Sequence, residues 1–292
     1  MAIKQSRKGE LAILSEALLF SLFPVVTILS YARVSPIAAL AWSSLFAAVF
    51  FGAVVLLKRK WREFKDPGIY KYIFYIAFFI GWLYYGLYFI GLKFTSAGNA
   101  AIIDLMEIFF SYLLFNIWQK EYFSRNYKIG ALLMLIGAVV ILLPKGGLQF
   151  HGGDWLVLAA AASAPAGNYF QQKLRQTVSS ESILFLRSLF SFPIFFLLAF
   201  LLKTDVGLGV LQKSFWFLAL NGLVLLGLAK LFWLEGIHRI SVTKANALSS
   251  AGPLFTLGFA YLLLHQIPTW EQLLAFVPMA WGMILLTGDS AA

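Results

Sequence analysis

Five ionisable residues stand inside apolar stretches of this chain: Glu16, Asp104, Glu107, Arg187 and Lys230. A charge at bilayer depth costs about 2.5–3.5 kcal/mol on insertion scales, so such groups face a cavity or a partner. A carboxylate there can hold a cation or take up and release a proton. A lysine or arginine can hold an anion. Asp104 and Glu107 are three residues apart and share one helical face, which Ala100 and Ser111 extend. At 1.5 Å per residue, Glu16 lies about 10 Å into its stretch and Lys230 about 9 Å from the same end. Arg187 is similarly placed, so the three are candidates for one layer. Glu16 has two readings, a proton or cation site and a structural ion pair with Lys230 or Arg187. Lys230 could instead snorkel to the surface, and Arg187 reads as structural. Glu235 and Arg239, four apart, read as a surface helical pair.

Other side chains join this set. Tyr85 and Tyr88, with Trp82 and Tyr84, share one stretch, and Trp233 lies three residues after Lys230. They line a pocket or serve as ordinary interfacial aromatics. Asn246, Ser249, Ser250, Pro253 and Thr256 form a polar stripe, and Asn168, Tyr169 and Gln171 are secondary candidates. Pro24, Pro165 and Pro253 lie within apolar stretches. Each lacks a backbone donor, which makes it a candidate hinge or a static kink. The only histidines, His151, His238 and His265, sit near stretch ends, and there is no cysteine, P-loop or nucleophile elbow. The expectation is therefore no enzyme, no metal and no cofactor.

The elements that must carry these residues are set by composition. Of 292 residues 61% are hydrophobic and 12% charged, about half the charged share of a soluble domain. Only a bilayer can solvate that much apolar surface. Ten stretches qualify as helical spans: 9–31, 36–57, 70–92, 96–118, 126–143, 154–171, 182–202, 214–236, 243–263 and 270–287. The first reads as a retained helix rather than a cleaved leader. The net charge of +10 does not point to nucleic acid, because the basic residues sit in short loops between spans. Placing the N-terminus in the cytoplasm puts 16 Lys and Arg on that side and 5 on the other. That bias predicts both termini cytoplasmic, in an inner membrane.

The spans fall into two related halves, residues 1–145 and 146–292. Gly9-Glu10 is matched by Gly153-Asp154, Val34-Ser35 by Val178-Ser179, and Ser44-Leu45-Phe46 by Ser188-Leu189-Phe190, all at an offset of 144. Further on, Gly91 meets Gly236, Ser96 meets Ser241, Ala100 meets Ala245 and Gly137 meets Gly282, at 145. By this alignment Tyr85 corresponds to Lys230, Tyr88 to Trp233, Asp104 to Ser249 and Glu107 to Gly252. Five spans per half is an odd number, so the halves enter the membrane in opposite directions. Inverted repeats of this kind place a substrate site near the midplane and work by alternating access.

These features resemble the ten-helix EamA-type transporters of the drug/metabolite transporter superfamily. The likeness rests on the five-plus-five repeat and on the end of each half: Glu121-Tyr122-Phe123, Ile129-Gly130-Ala131-Leu132-Leu133 and Gly137 in the first, Gln266 and Gly282 in the second. Gln266 replaces the expected glutamate. Arg187 resembles an arginine seen early in the seventh span, and Ser43 takes its place in the first half. Ala12-Ile13-Leu14-Ser15-Glu16 resembles the first helix of the small multidrug resistance proteins, which carry a membrane glutamate. The resemblance implies a central cavity and a small-molecule substrate. The leading expectation is a secondary carrier exporting amino acids or related metabolites, with the acids holding an amine and Lys230 or Arg187 a carboxylate. The alternative is an exporter of lipophilic cations coupled to protons through Glu16, Asp104 and Glu107.

Overall fold

The computed structural model describes residues 2–119, 125–142, 152–240, 245, 248–249 and 251–288. Among them the chain is helical, in ten successive segments. The first span is Ala2–Phe20 continued by Phe23–Ser30. Pro36–Leu57 is the second. A short 3-10 turn, Lys60–Lys65, leads to the third, which runs as Gly68–Ile76, Ala77–Tyr84 and Tyr85–Leu92. The fourth is Ala97–Asp104 with Met106–Gln119, and the fifth Arg125–Leu142. The second half continues as Gly152–Leu174, Ser180–Leu201 and the long eighth span, Leu208–Ala219, Leu220–Leu228 and Ala229–Arg239. Gly252–Leu264 and Trp270–Gly288 complete it.

Local chemistry explains where these helices start and stop. Ser35 caps the second span, its hydroxyl accepting from Ala38 N–H at 3.3 Å ahead of Pro36 at the first helical position. Ser96 caps the fourth in the same way through Asn99 N–H, 3.1 Å. The outward faces are apolar, with Leu57 at 84% exposure, Trp216 at 81% and Phe200 at 76% among many exposed large side chains; so extensive an apolar surface suits lipid rather than water. Five segments, Ser6–Ser30, Pro36–Leu57, Gly68–Leu92, Ser180–Leu201 and Leu208–Arg239, are long and apolar enough to cross a membrane; three shorter apolar helices accompany them. The chain is a multi-pass membrane protein.

Packing obeys the repeat. The second span lies along the seventh and the fifth along the tenth, each with its own counterpart. The first packs on the eighth and the third on the sixth, which are equivalent pairings. At these crossings stand the repeated glycines. A Cβ at Gly153 would lie 2.4 Å from Gly91 O, and one at Gly236 would lie 2.3 Å from Ile13 Cδ1 and 3.4 Å from Gly9 O. At the fifth–tenth crossing, a Cβ at Gly282 would lie 2.6 Å from Gly130 O. Small residues here let two backbones touch, which is how helices associate where no hydrophobic drive exists.

The helices depart from regular α geometry at matched places. Ala77–Tyr84 and Leu220–Leu228 are π-helical, and the two segments correspond under the repeat. Such insertions rotate the side chains beyond them and recur at functional sites. They end at Tyr84, just before Tyr85, and at Leu228, two residues before Lys230. The first span breaks at Ser21-Leu22, just before Pro24, and the fourth at Leu105, where Ile108 N–H bonds Leu105 O three residues back. Pro253 sits in the first turn of the ninth span. The sixth runs unbroken through Pro165.

At the end of the bundle where the first helix starts, an ion pair and hydrogen bonds tie the halves together. Lys58 pairs with Glu181. Glu63 accepts from Ser179 N–H at 3.0 Å and from its hydroxyl at 2.8 Å. Glu235 and Arg239 form the expected helical pair, at 2.5 Å, and belong to a larger cluster. Glu235 is also held by Arg175 (2.7 Å) and the Ser180 hydroxyl (2.7 Å). Burial pushes the Glu63 carboxyl up, but the Ser179 N–H, the Ser182 and Ser179 hydroxyls and the Lys60 charge together hold it below its ordinary value. A depressed carboxylate contributes stability that is present at neutral pH and is lost as pH falls through the carboxylate range. Glu63→Gln should therefore lower the melting temperature at neutral pH and narrow its difference from the acid value. An unchanged difference would remove Glu63 from the account.

Candidate functional site

A cavity of about 130 Å³ lies at the centre of the bundle, lined from both halves by seven of the ten spans. Four pairs of positions that the repeat makes equivalent face it: Tyr85 and Lys230, Tyr88 and Trp233, Asp104 and Ser249, Glu107 and Gly252. The positions are symmetric and the chemistry is not. Each pair sets an aromatic or acid of the third and fourth spans against a cation, a different ring or a small residue of the eighth and ninth.

Two polar clusters result. In the first, Lys230 Nζ donates to Glu16 Oε1 at 2.7 Å, and the Ser249 hydroxyl approaches Glu16 Oε2 at 3.4 Å. The ammonium also sits 3.1 Å from the Phe20 ring centroid and 5.9 Å from that of Trp233. Glu16 is buried, and the lysine meets it from a helix related to the third span, so this is an ion pair between halves. Phe20 lies four residues after Glu16 and shares its face, the signal that would have placed it here.

In the second cluster, Tyr84 donates its hydroxyl to Asp104 Oδ2 at 2.9 Å, and Asn168 Nδ2 donates to Glu107 Oε1 at 2.6 Å. Gln171 Nε2 in turn donates to Asn168 Oδ1, 3.0 Å. The fourth and sixth spans pack together, which brings the acids of one half to the amides of the other. Asp104 Oδ1 and Gln171 Oε1 are buried without a hydrogen-bond partner among the described residues. Buried acceptors are rarely left so.

The remaining residues divide. Arg187 is buried at the cavity wall, its guanidinium 5.5 Å from the Tyr85 ring and 3.5 Å from Leu226 O; it forms no ion pair with Glu16 among the described residues. Its counterpart Ser43 is buried with an unpaired hydroxyl among the described residues. Trp82 turns away from the cavity and donates its indole N–H to Phe190 O at 3.2 Å, because the π-turn sets it on the opposite face from Tyr84 and Tyr85. Of the ninth-span stripe, Ser249, Pro253 and Thr256 line the cavity, while Asn246 and Ser250 lie outside the described residues. Thr256 donates to Ser21 O at 2.9 Å, bracing the break in the first span. Pro24 and Pro253 both face the cavity. Gln266 accepts from Ala97 N–H at 3.2 Å, outside the cavity; Glu121 lies outside the described residues. Among the described residues no group of three or more His, Cys, Asp or Glu could hold a metal.

The bundle is built twice from one five-helix unit and encloses a central cavity. The EamA-like transporter family matches both halves, over residues 7–143 and 151–288. This chain belongs to the EamA-like transporter family. It is 24% identical over 210 residues to the uncharacterized transporter sll1164 of Synechocystis, covering 68% of this chain and 60% of that protein. It is 22% identical over 250 residues to the uncharacterized transporter YoaV of Bacillus subtilis, covering 82% and 84%. A crystal structure of 20% sequence identity superposes with a TM-score of 0.68 over 97% of each chain, which shows the shared fold. The EamA-like chain is thus a membrane transporter.

Proposed function

We propose that this EamA-like carrier exports amino acids or related small metabolites by alternating access across the inner membrane, with both termini cytoplasmic. Residues 1–145 and 146–292 act as the two rocking units. One observation carries the reading. The cavity is lined by three carboxylates, Glu16, Asp104 and Glu107, and two cations, Lys230 and Arg187. Lys230 is committed to Glu16. The acids on the fourth span are left facing the cavity with only neutral donors, so a cationic group completes them. Arg187, or Lys230 beside its Glu16 pair, suits the carboxylate of the same zwitterion. Tyr85, Tyr88 and Trp233 supply the apolar walls.

Proton-coupled export of lipophilic cations is the second reading. The aromatic walls and Asp104, Glu107 and Glu16 as proton carriers favour it, while the buried cations Lys230 and Arg187, which such a cargo has no use for, count mildly against it. A thermal-shift screen of purified carrier against amino acids, nucleosides, sugars and quaternary cations separates the two. A ligand held only by the folded state raises the melting temperature. Amino-acid hits should be transported into proteoliposomes, and Asp104→Asn should lower that uptake at least about tenfold, as expected for a binding charge in a low-dielectric site. Hits confined to lipophilic cations would overturn the metabolite reading.

A further inference from the structure

We propose that Gln171, acting with Asp104, makes the cavity select ligands that carry an N–H-bearing ammonium over quaternary ammonium ions. The inference rests on the carrier reading above and adds the residue that enforces selectivity within it.

The orientation of the amide chain carries the argument. Glu107 Oε1 receives the amide NH2 of Asn168 at 2.6 Å. That turns Asn168 Oδ1 toward Gln171, which must answer with its own NH2, at 3.0 Å. Gln171 Oε1 is then left over, on a side chain only 2% exposed, with no donor among the described residues. Asp104 arrives at the same condition independently. Tyr84 satisfies Oδ2 and leaves Oδ1 buried and unpaired among the described residues. Both residues line the cavity.

Two leftover acceptors from opposite halves line one cavity and lack only donors. A primary ammonium brings three N–H groups. A trimethylammonium brings the same charge and none, so it would seal both acceptors away from water with no bond in return. Sites built to bond a ligand group reject analogues lacking it far more strongly than apolar pockets distinguish sizes. Charge alone, by contrast, would treat the two ions alike. Size also separates the two ions, so the role of the acceptor is read from a near-isosteric exchange that keeps the volume at Gln171 and removes only its oxygen.

The test uses the full-length purified carrier and three matched pairs: glycine, phenylalanine and lysine, each with its α-N,N,N-trimethyl derivative. Dissociation constants would be measured by titration for the wild type, Gln171→Met and Gln171→Glu. We expect the primary amine of the binding pair to be preferred at least about tenfold, in keeping with discrimination by a bonded group. Gln171→Met, nearly isosteric but without the acceptor, should bring the preference close to unity. Gln171→Glu, which keeps an acceptor, should retain it, and it stands in for the methionine variant if that fails to fold. Equal binding of the trimethyl member by the wild type, or an unaltered preference in Gln171→Met, would overturn the proposal while leaving the carrier reading intact. Loss of the preference in Gln171→Glu would overturn it too. No binding by any member of any pair would overturn both.

Discussion

Glu16→Gln and Lys230→Met, made separately, should each cost the folded carrier about 3–5 kcal/mol, because each leaves a buried charge without its partner. The geometry makes this pair unusually exposed to that penalty. Lys230 and Glu16 meet at 2.7 Å with side-chain exposures of 14% and 4%. Water reaches neither well enough to replace the partner. The Phe20 ring face 3.1 Å from the ammonium supports the cation electrostatically, but a ring offers no acceptor. The double variant should regain most of the lost stability, since two neutral side chains of similar volume leave nothing uncompensated. It should not regain transport if the pair takes part in the cycle. Melting temperature and proteoliposome uptake of the three variants separate these roles. Singles as stable as the wild type would show that the pair does not hold the first and eighth spans together. A double variant with full uptake would make it structural alone.

Much of this architecture is legible in the chain itself. The apolar stretches mark the spans, because a bilayer demands length and hydrophobicity and little else. The offsets of 144 and 145 give which helices are equivalent between the halves, and the glycines that carry the repeat prove to stand where backbones cross. Glu16, Asp104, Glu107, Lys230, Tyr85, Tyr88 and Trp233 all reach one cavity, since intramembrane polarity is too costly to scatter. What the sequence hides is register. The π-turns at Ala77–Tyr84 and Leu220–Leu228 rotate the side chains after them, and no residue pattern announces such turns. Hence Trp82 reads as a cavity residue with Tyr84 and Tyr85 and instead faces the seventh span. The amide chain from Glu107 through Asn168 to Gln171 is equally hidden. It joins residues 61 apart in sequence through the contact of the fourth span with the sixth, and amides carry no charge to mark them. Glu235 looks self-sufficient with Arg239 because Arg175 and Ser180 reach it only through the fold.

The repeated glycines lead to the second large effect. Gly153→Leu should abolish the folded carrier, whereas Gly258→Leu should leave its melting temperature and yield unchanged. At Gly153 a Cβ would stand 2.4 Å from Gly91 O, 2.6 Å from Phe94 C and 2.8 Å from Phe94 O. All three are backbone atoms, so no rotamer change can clear the space, and the third and sixth spans must separate along their crossing. Overpacking a core typically costs about 1–3 kcal/mol when side chains can yield; here they cannot, and the expected cost lies beyond that range. The same separation would break the Thr95–Asp154 hydrogen bond beside the crossing. Gly258 has nothing within 4 Å of its Cβ position and faces outward, so a leucine there only adds lipid-facing surface. The contrast isolates close approach from helix propensity, because both exchanges favour the helix intrinsically. Size-exclusion profile and thermal melting in detergent would report it. A Gly153→Leu carrier that folds like the wild type would show that the two backbones do not meet, and with it would go the account of why the repeat keeps glycine at 9, 91, 153 and 236.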